Sequence, residues 1–172
     1  MKKVKKANGF TLIEILVVIG IIAILAAIVI IAINPAKQFA QARNTQRTSN
    51  VNAILNAIGQ RMADNKGVFN GTFTIGSPAV SYTCPTLVSD DIDSEAGGAG
   101  INLDCLVPTY ISAIPKDPTW ATADDEDTLY NLEVGVDCAG TSAPGRITVR
   151  ASLSANETSI PDAAANQVCV TR

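Results

Sequence analysis

The sequence predicts an α+β protein in which one long, bent N-terminal helix packs on a small antiparallel β-sheet head. Three observations carry that prediction: an apolar run from Phe10 to Ile33, an apolar stripe at helical spacing beyond it, and a change to two-residue alternation in the C-terminal half. At 172 residues the chain suits one domain with an appendage rather than two independent cores.

The apolar run is interrupted only by Thr11, Glu14 and Gly20. As a helix it covers about 36 Å at ~1.5 Å per residue, enough for a hydrocarbon core of ~30 Å. Lys2, Lys3, Lys5 and Lys6 precede it, so the positive-inside rule holds the N-terminus in the cytoplasm and sends the remainder outward. The run is about twice as long as the apolar part of an ordinary signal peptide, and no A-x-A-like site ends it. A plain signal anchor is the alternative, but it explains neither the junction residues nor the acid at position 14.

Beyond Asn34-Pro35, the residues Val51, Ile54, Leu55, Ile58 and Met62 fall on one helical face. Pro35 removes a backbone donor, which predicts a kink near Ile31 within a helix running from about Thr11 to about Asp64. Gly67 supplies its stop. Further on, Tyr130, Leu132, Val134 and Val136 alternate with polar residues or glycine, and Ile147, Val149, Ala151 and Leu153 do the same. These are strands with one covered face, and the amphipathic half of the helix is the available cover. A short strand is expected at Val168 to Val170. The Asp- and Gly-rich stretch from Thr86 to Pro108 reads as a surface loop.

These signals divide the chain into residues 1–9, 10–33, 34–66 and 67–172. They correspond to a leader, a spanning helix, an amphipathic helix and a β-rich head.

Composition removes several functional classes. There is no histidine, hence no Ser-His or Cys-His nucleophile pair and no imidazole ligand. Of thirteen basic residues four lie before Phe10; without them nine face sixteen acidic residues, a formal −7. Scattered cations on an acidic chain give no direct nucleic-acid site. GGAG at Gly97 to Gly100 lacks the Gly-Lys-Ser/Thr ending of a phosphate loop. Cys84, Cys105, Cys138 and Cys169 show no CxxC spacing. With an export signal they read as disulfides rather than reduced thiols. Three pairings are open, and Cys84–Cys105 with Cys138–Cys169 is favoured because each closes a local loop.

The junction KKANGFTLIEILVVIGIIAILAA closely resembles the prepilin leader and cleavage site of type IV pilins and type II secretion pseudopilins. The resemblance covers the first half of the chain. It implies cleavage after Gly9 by a membrane-embedded prepilin peptidase, and methylation of the new N-terminal residue, Phe10, by the same enzyme. It also implies assembly by a platform protein and its ATPase. Glu14 would then neutralise the terminal amine of a neighbouring subunit. A carboxylate in a spanning segment costs about 2.5–3.5 kcal/mol on insertion scales, so it wants a partner. Gly20 permits close helix packing or is merely tolerated.

A second stretch, YISAIPKDPTWATADDEDTLYNLEV from Tyr110 to Val134, resembles the segment of major pseudopilins that leads into a calcium-binding loop. Trp120 is displaced by one position from that pattern. The resemblance makes Asp117, Asp124, Asp125 and Asp127 candidate oxygen ligands for calcium, against a solvated acidic loop. No cofactor is otherwise required.

The expected function is therefore non-enzymatic. The chain reads as a structural subunit, a pilin, of a type IV pilus-like filament or fimbrium, polymerising with its own copies through the apolar helix. It would sit in the cytoplasmic membrane before assembly and in a surface or periplasm-spanning fibre afterwards. Alternatives are the major pseudopilin of a type II secretion system, a minor or competence pilin, and a membrane-anchored extracytoplasmic binding protein.

Overall fold

The structure is a computed structural model that describes residues 9–93, 100–119, 127–161, 163 and 167–172. The chain divides into two compact units, Met1–Phe39 and Ala40–Arg172.

The first helix, α1, spans Leu12–Ala32. Its uniform apolarity gives it no polar face, and the stretch Leu12–Ile30 has a mean hydropathy of 3.2 with none of it buried. The expected continuous bent helix is instead interrupted. Ile33 is extended, with φ −102° and ψ 104°, and its N–H closes the last bond of α1 on Val29 O at 3.0 Å. Proline disfavours the helical conformation in the residue before it, so the break falls at Ile33–Asn34 rather than near Ile31. Pro35 opens a second helix, α2, Pro35–Asp64, where its missing N–H costs nothing. Asn34 caps that helix by accepting from Lys37 N at 3.3 Å.

From Ala40 onward α2 belongs to the head. Val51, Ile54, Leu55 and Ile58 are buried in the core and Met62 packs against it, the face that the spacing predicts. The helix ends where Lys66 and Gly67 turn left-handed, φ 55° and 89°, and Gly67 N–H bonds back to Met62 O at 2.7 Å.

Two sheets follow. A hairpin of β1, Gly71–Ile75, and β2, Val80–Cys84, forms the first. The second contains β3, Asp90–Asp93; β4, Ile101–Asn102; β5, Asp127–Val136; β6, Ser142–Ala151; and β7, Cys169–Thr171. Their order is β4-β3-β5-β6-β7. Every pair is antiparallel except β3–β4, which is parallel, so the head is not purely antiparallel.

Three readings of the sequence are corrected here. The described residues of the stretch Thr86 to Pro108 are not a surface loop: they supply β3, β4 and a 3-10 turn, Asp104–Leu106, and bury Ile92, Ile101, Leu103 and Leu106. Gly100 belongs to it because a Cβ there would lie 2.2 Å from Asp91 O, so only glycine lets the two backbones approach. Second, β6 stops at Ala151, and Leu153 sits in a 3-10 turn, Ser152–Asn156. Third, the hairpin of β1 and β2 lies in the β-rich head at a place to which the sequence assigns no individual strand. The leader positions 1–8, Gly97 to Ala99, Trp120, Asp124 and Asp125 lie outside the described residues.

Candidate functional site

At the start of α1, Phe10 is 86% exposed, and Gly9 is exposed with nothing within 4 Å of an added Cβ. Thr11 and Glu14 form a capping box. Glu14 N donates to Thr11 Oγ1 at 3.3 Å, while Glu14 Oε2 accepts from Thr11 N at 2.7 Å and Thr11 Oγ1 at 2.8 Å. Both donors converge on one oxygen. Glu14 Oε1 has no partner among the described residues and is the free acceptor of the segment. The box was readable as Thr-x-x-Glu ahead of an apolar run, a signal that the charge of Glu14 overshadowed. At Gly20 an added Cβ would meet nothing within 4 Å, so no packing within the chain demands glycine there.

The head contains a buried ionic cluster that sequence reasoning did not find. Arg47 is 1% exposed. Its Nε and Nη2 donate to Asp117 Oδ2 and Oδ1 at 2.7 and 3.0 Å, and its Nη1 donates to Glu157 Oε1 at 2.6 Å. Asn44 Oδ1 and Thr119 Oγ1 accept from the same guanidinium. Arg43 closes the other side of Glu157, Nε to Oε1 at 2.7 Å and Nη2 to Oε2 at 2.5 Å. Hydrogen bonds from Arg43 first, then Arg47, outweigh burial and hold the Glu157 carboxyl down at about 2. Burial works to raise the Asp117 carboxyl, yet the bonds from Arg47 and Thr119 hold it below the usual range. Sequence separations of 70 and 110 leave no local signature for this cluster.

Both oxygens of Asp117, a candidate calcium ligand, accept hydrogen bonds: Oδ2 from Arg47, and Oδ1 from Arg47 and Thr119. Asp127 Oδ1 accepts from Leu129 N at 2.7 Å. Among the described residues no group of three or more His, Cys, Asp or Glu side chains is arranged to hold a metal.

Two disulfides tie the head. Cys84–Cys105 joins β2 to the 3-10 turn after β4, and Cys138–Cys169 joins the β5–β6 connection to β7. Around α2, Arg61 is 4% exposed, lies 4.3 Å from the Phe73 ring centroid and reaches Gly71 O at 3.4 Å. Phe73 stacks on Tyr82 and meets Tyr110 edge-on. These contacts serve the fold.

The chemistry-bearing segment is thus the exposed start of α1, where a glycine, a free aromatic residue and a half-satisfied carboxylate stand ahead of an unburied apolar helix. Residues 4–30 match the prokaryotic N-terminal methylation motif. That motif is the signature of type IV pilins and pseudopilins, a family of structural subunits rather than enzymes. No curated protein and no solved structure matches the chain. The methylation motif contains Gly9, Phe10 and Glu14 together with most of α1, and the helix it ends in fits membrane anchoring.

Proposed function

We propose that the chain is the structural subunit of a type IV pilus-like filament. It is cut after Gly9, methylated on Phe10 and polymerised through α1. The observation that supports this reading is the methylation motif leading into an apolar helix, none of whose residues Leu12–Ile30 is buried among the described residues. Each buried Val, Leu or Ile side chain gains about 1.5–3 kcal/mol over leaving it in water, so such a surface persists only in lipid or against other apolar surfaces. Lipid serves before assembly and neighbouring α1 helices serve after it, with the head on the outer side. A peptidase, a platform protein and its ATPase are the partners this requires.

Glu14 has a defined task in this reading. Its capping box satisfies Oε2 inside the subunit, and Oε1 remains to accept the methylated amine of a neighbour's Phe10. Pairing two ions in an apolar stack offsets the desolvation of both, and the amine selects the register between subunits. A surface pilus, rather than a secretion pseudopilus, is supported by the two disulfides that toughen the head.

Intact mass of the native protein tests the proposal. Loss of residues 1–9, one added methyl on Phe10 and four missing hydrogens are expected; an intact Met1 overturns it. In Glu14→Val the cut is retained while filaments are lost, and normal filaments from that variant would remove the role given to the carboxylate.

A further inference from the structure

Between α2 and β1 the chain passes through Val68, Phe69 and Asn70, which belong to no helix or strand. Phe69 is buried in the core and pins the connection, while Asn70 is exposed. Asn70 is also the one asparagine among the described residues that glycine follows. Every other one precedes a residue with a side chain, and Asn50, Asn52 and Asn56 are held in α2 besides.

The chemistry open to such a pair is intramolecular. A five-membered ring forms when the backbone nitrogen of the next residue reaches the asparagine Cγ. A side chain on that next residue crowds the approach, and glycine has none. Gly71 opens β1 at φ 115°, and a Cβ added there would meet nothing within 4 Å, so the space beside its backbone is open. The Asn70 carboxamide is held by one long bond, Nδ2 to Thr86 Oγ1 at 3.3 Å.

We infer that Asn70 is a site of spontaneous deamidation, converting to aspartate and isoaspartate through a succinimide. The Gly71 nitrogen loses its proton and attacks Asn70 Cγ. The new C–N bond expels the side-chain nitrogen, which takes up a proton and leaves as ammonia. Water then adds to one of the two ring carbonyls and breaks its bond to the ring nitrogen, which regains a proton. Opening at Cγ restores the main chain and leaves aspartate; opening at the Asn70 carbonyl carbon routes the main chain through Cγ as isoaspartate. One water is consumed, one ammonia is released and nothing is oxidised or reduced. The surroundings suit the product. Thr86 Oγ1, an acceptor for the amide, turns to donate to the new carboxylate. Arg61 brings a positive charge to the next residue: its Nη2 lies 3.4 Å from Gly71 O, and its buried Nε has no hydrogen-bond partner among the described residues. Beyond the leader, sixteen acidic residues become seventeen against nine basic ones, so the formal charge moves from −7 to −8 with age. That charge balance rests on cleavage at Gly9; the chemistry at Asn70 does not.

The test ages the full-length protein as isolated in detergent micelles at about pH 8 and about pH 6, beside the free peptide acetyl-Val-Phe-Asn-Gly-Thr-Phe-amide. The mass at residue 70 should rise by about 1 Da in protein and peptide alike, with release of ammonia. Because the attacking nitrogen must first lose its proton, the alkaline sample should convert at least about tenfold faster. Fragmentation should find isoaspartate at residue 70, which direct hydrolysis of the side chain does not give. Asn70→Gln keeps a donor for Thr86 but must close a six-membered ring, and should stay at its starting mass. No change in the protein once the peptide has converted fully overturns the inference. So does a gain at residue 70 without isoaspartate, or an equal gain there in Asn70→Gln.

Discussion

The two helices adjoin in sequence and differ in what they ask of the rest of the protein. The apolar face of α2 is a stripe, and the sheet of the same chain covers it: Val51 and Ile54 are 0% exposed. In α1 all sides are apolar, and none of Leu12–Ile30 is buried among the described residues; Ile22 is 58% exposed. The head is stabilised by contacts within one chain. The first helix is stabilised only by its surroundings, so its sequence encodes a relation to lipid or to other copies rather than a packed position.

The contrast can be broken or sharpened by experiment. The largest effect is expected at Arg47. Arg47→Ala leaves Asp117 charged without its buried ion pair and Glu157 held by Arg43 alone, and should cost the head about 3–5 kcal/mol, read by urea unfolding of the micelle-held protein. A loss under 1 kcal/mol would show the cluster to be dispensable. Next, Ile54→Ala should cost the head about 2–5 kcal/mol by opening a cavity, whereas Ile22→Ala should leave the same unfolding curve within about 0.5 kcal/mol. Equal costs at both sites would erase the distinction between the helices. Replacing Cys138 and Cys169 together by serine should remove about 2–4 kcal/mol, because β7 then loses its tether.

A smaller effect concerns pH. The Glu157 carboxyl titrates at about 2 when folded, below its ordinary 4.5. Its stabilisation is therefore fully present above about pH 4.5 and lost as pH falls toward 2. The denaturation midpoint of the head should hold level from pH 7 to 5 and then decline, and Glu157→Gln should decline less steeply. Asp117 contributes in the same direction. Smallest is calcium: because Asp117 is committed to Arg47, millimolar calcium should move the melting temperature by no more than about 1 °C. A rise of several degrees would establish a metal site in this region.

Legibility in the sequence followed the range of the interactions. The stripe Val51, Ile54, Leu55, Ile58 and Met62 and the alternation of β5 were readable because each repeats within a few residues. The hairpin was not legible although Thr72, Phe73 and Thr74 alternate, since its exposed face carries hydroxyls and its covered face only Phe73, Tyr82 and Cys84. Residues Ile92, Ile101 and Leu103 were hidden among aspartates and glycines; no period marks strands of four and two residues. The break before Pro35 was misplaced because asparagine followed by proline signals equally a kink and the start of a new helix.

By itself the sequence determined the methylation motif, the apolar helix, its acid at position 14 and the helical face that the head covers. All of these are local patterns, written in neighbouring side chains and set by the periods of the backbone. Tertiary structure alone decided the partners of Arg47, the commitment of Asp117 to that ion pair and the parallel β3–β4 pair. The ion pairs join residues 70 or more positions apart, and the direction of β4 against β3 is written in no local period. Chain closure, not composition, settles both.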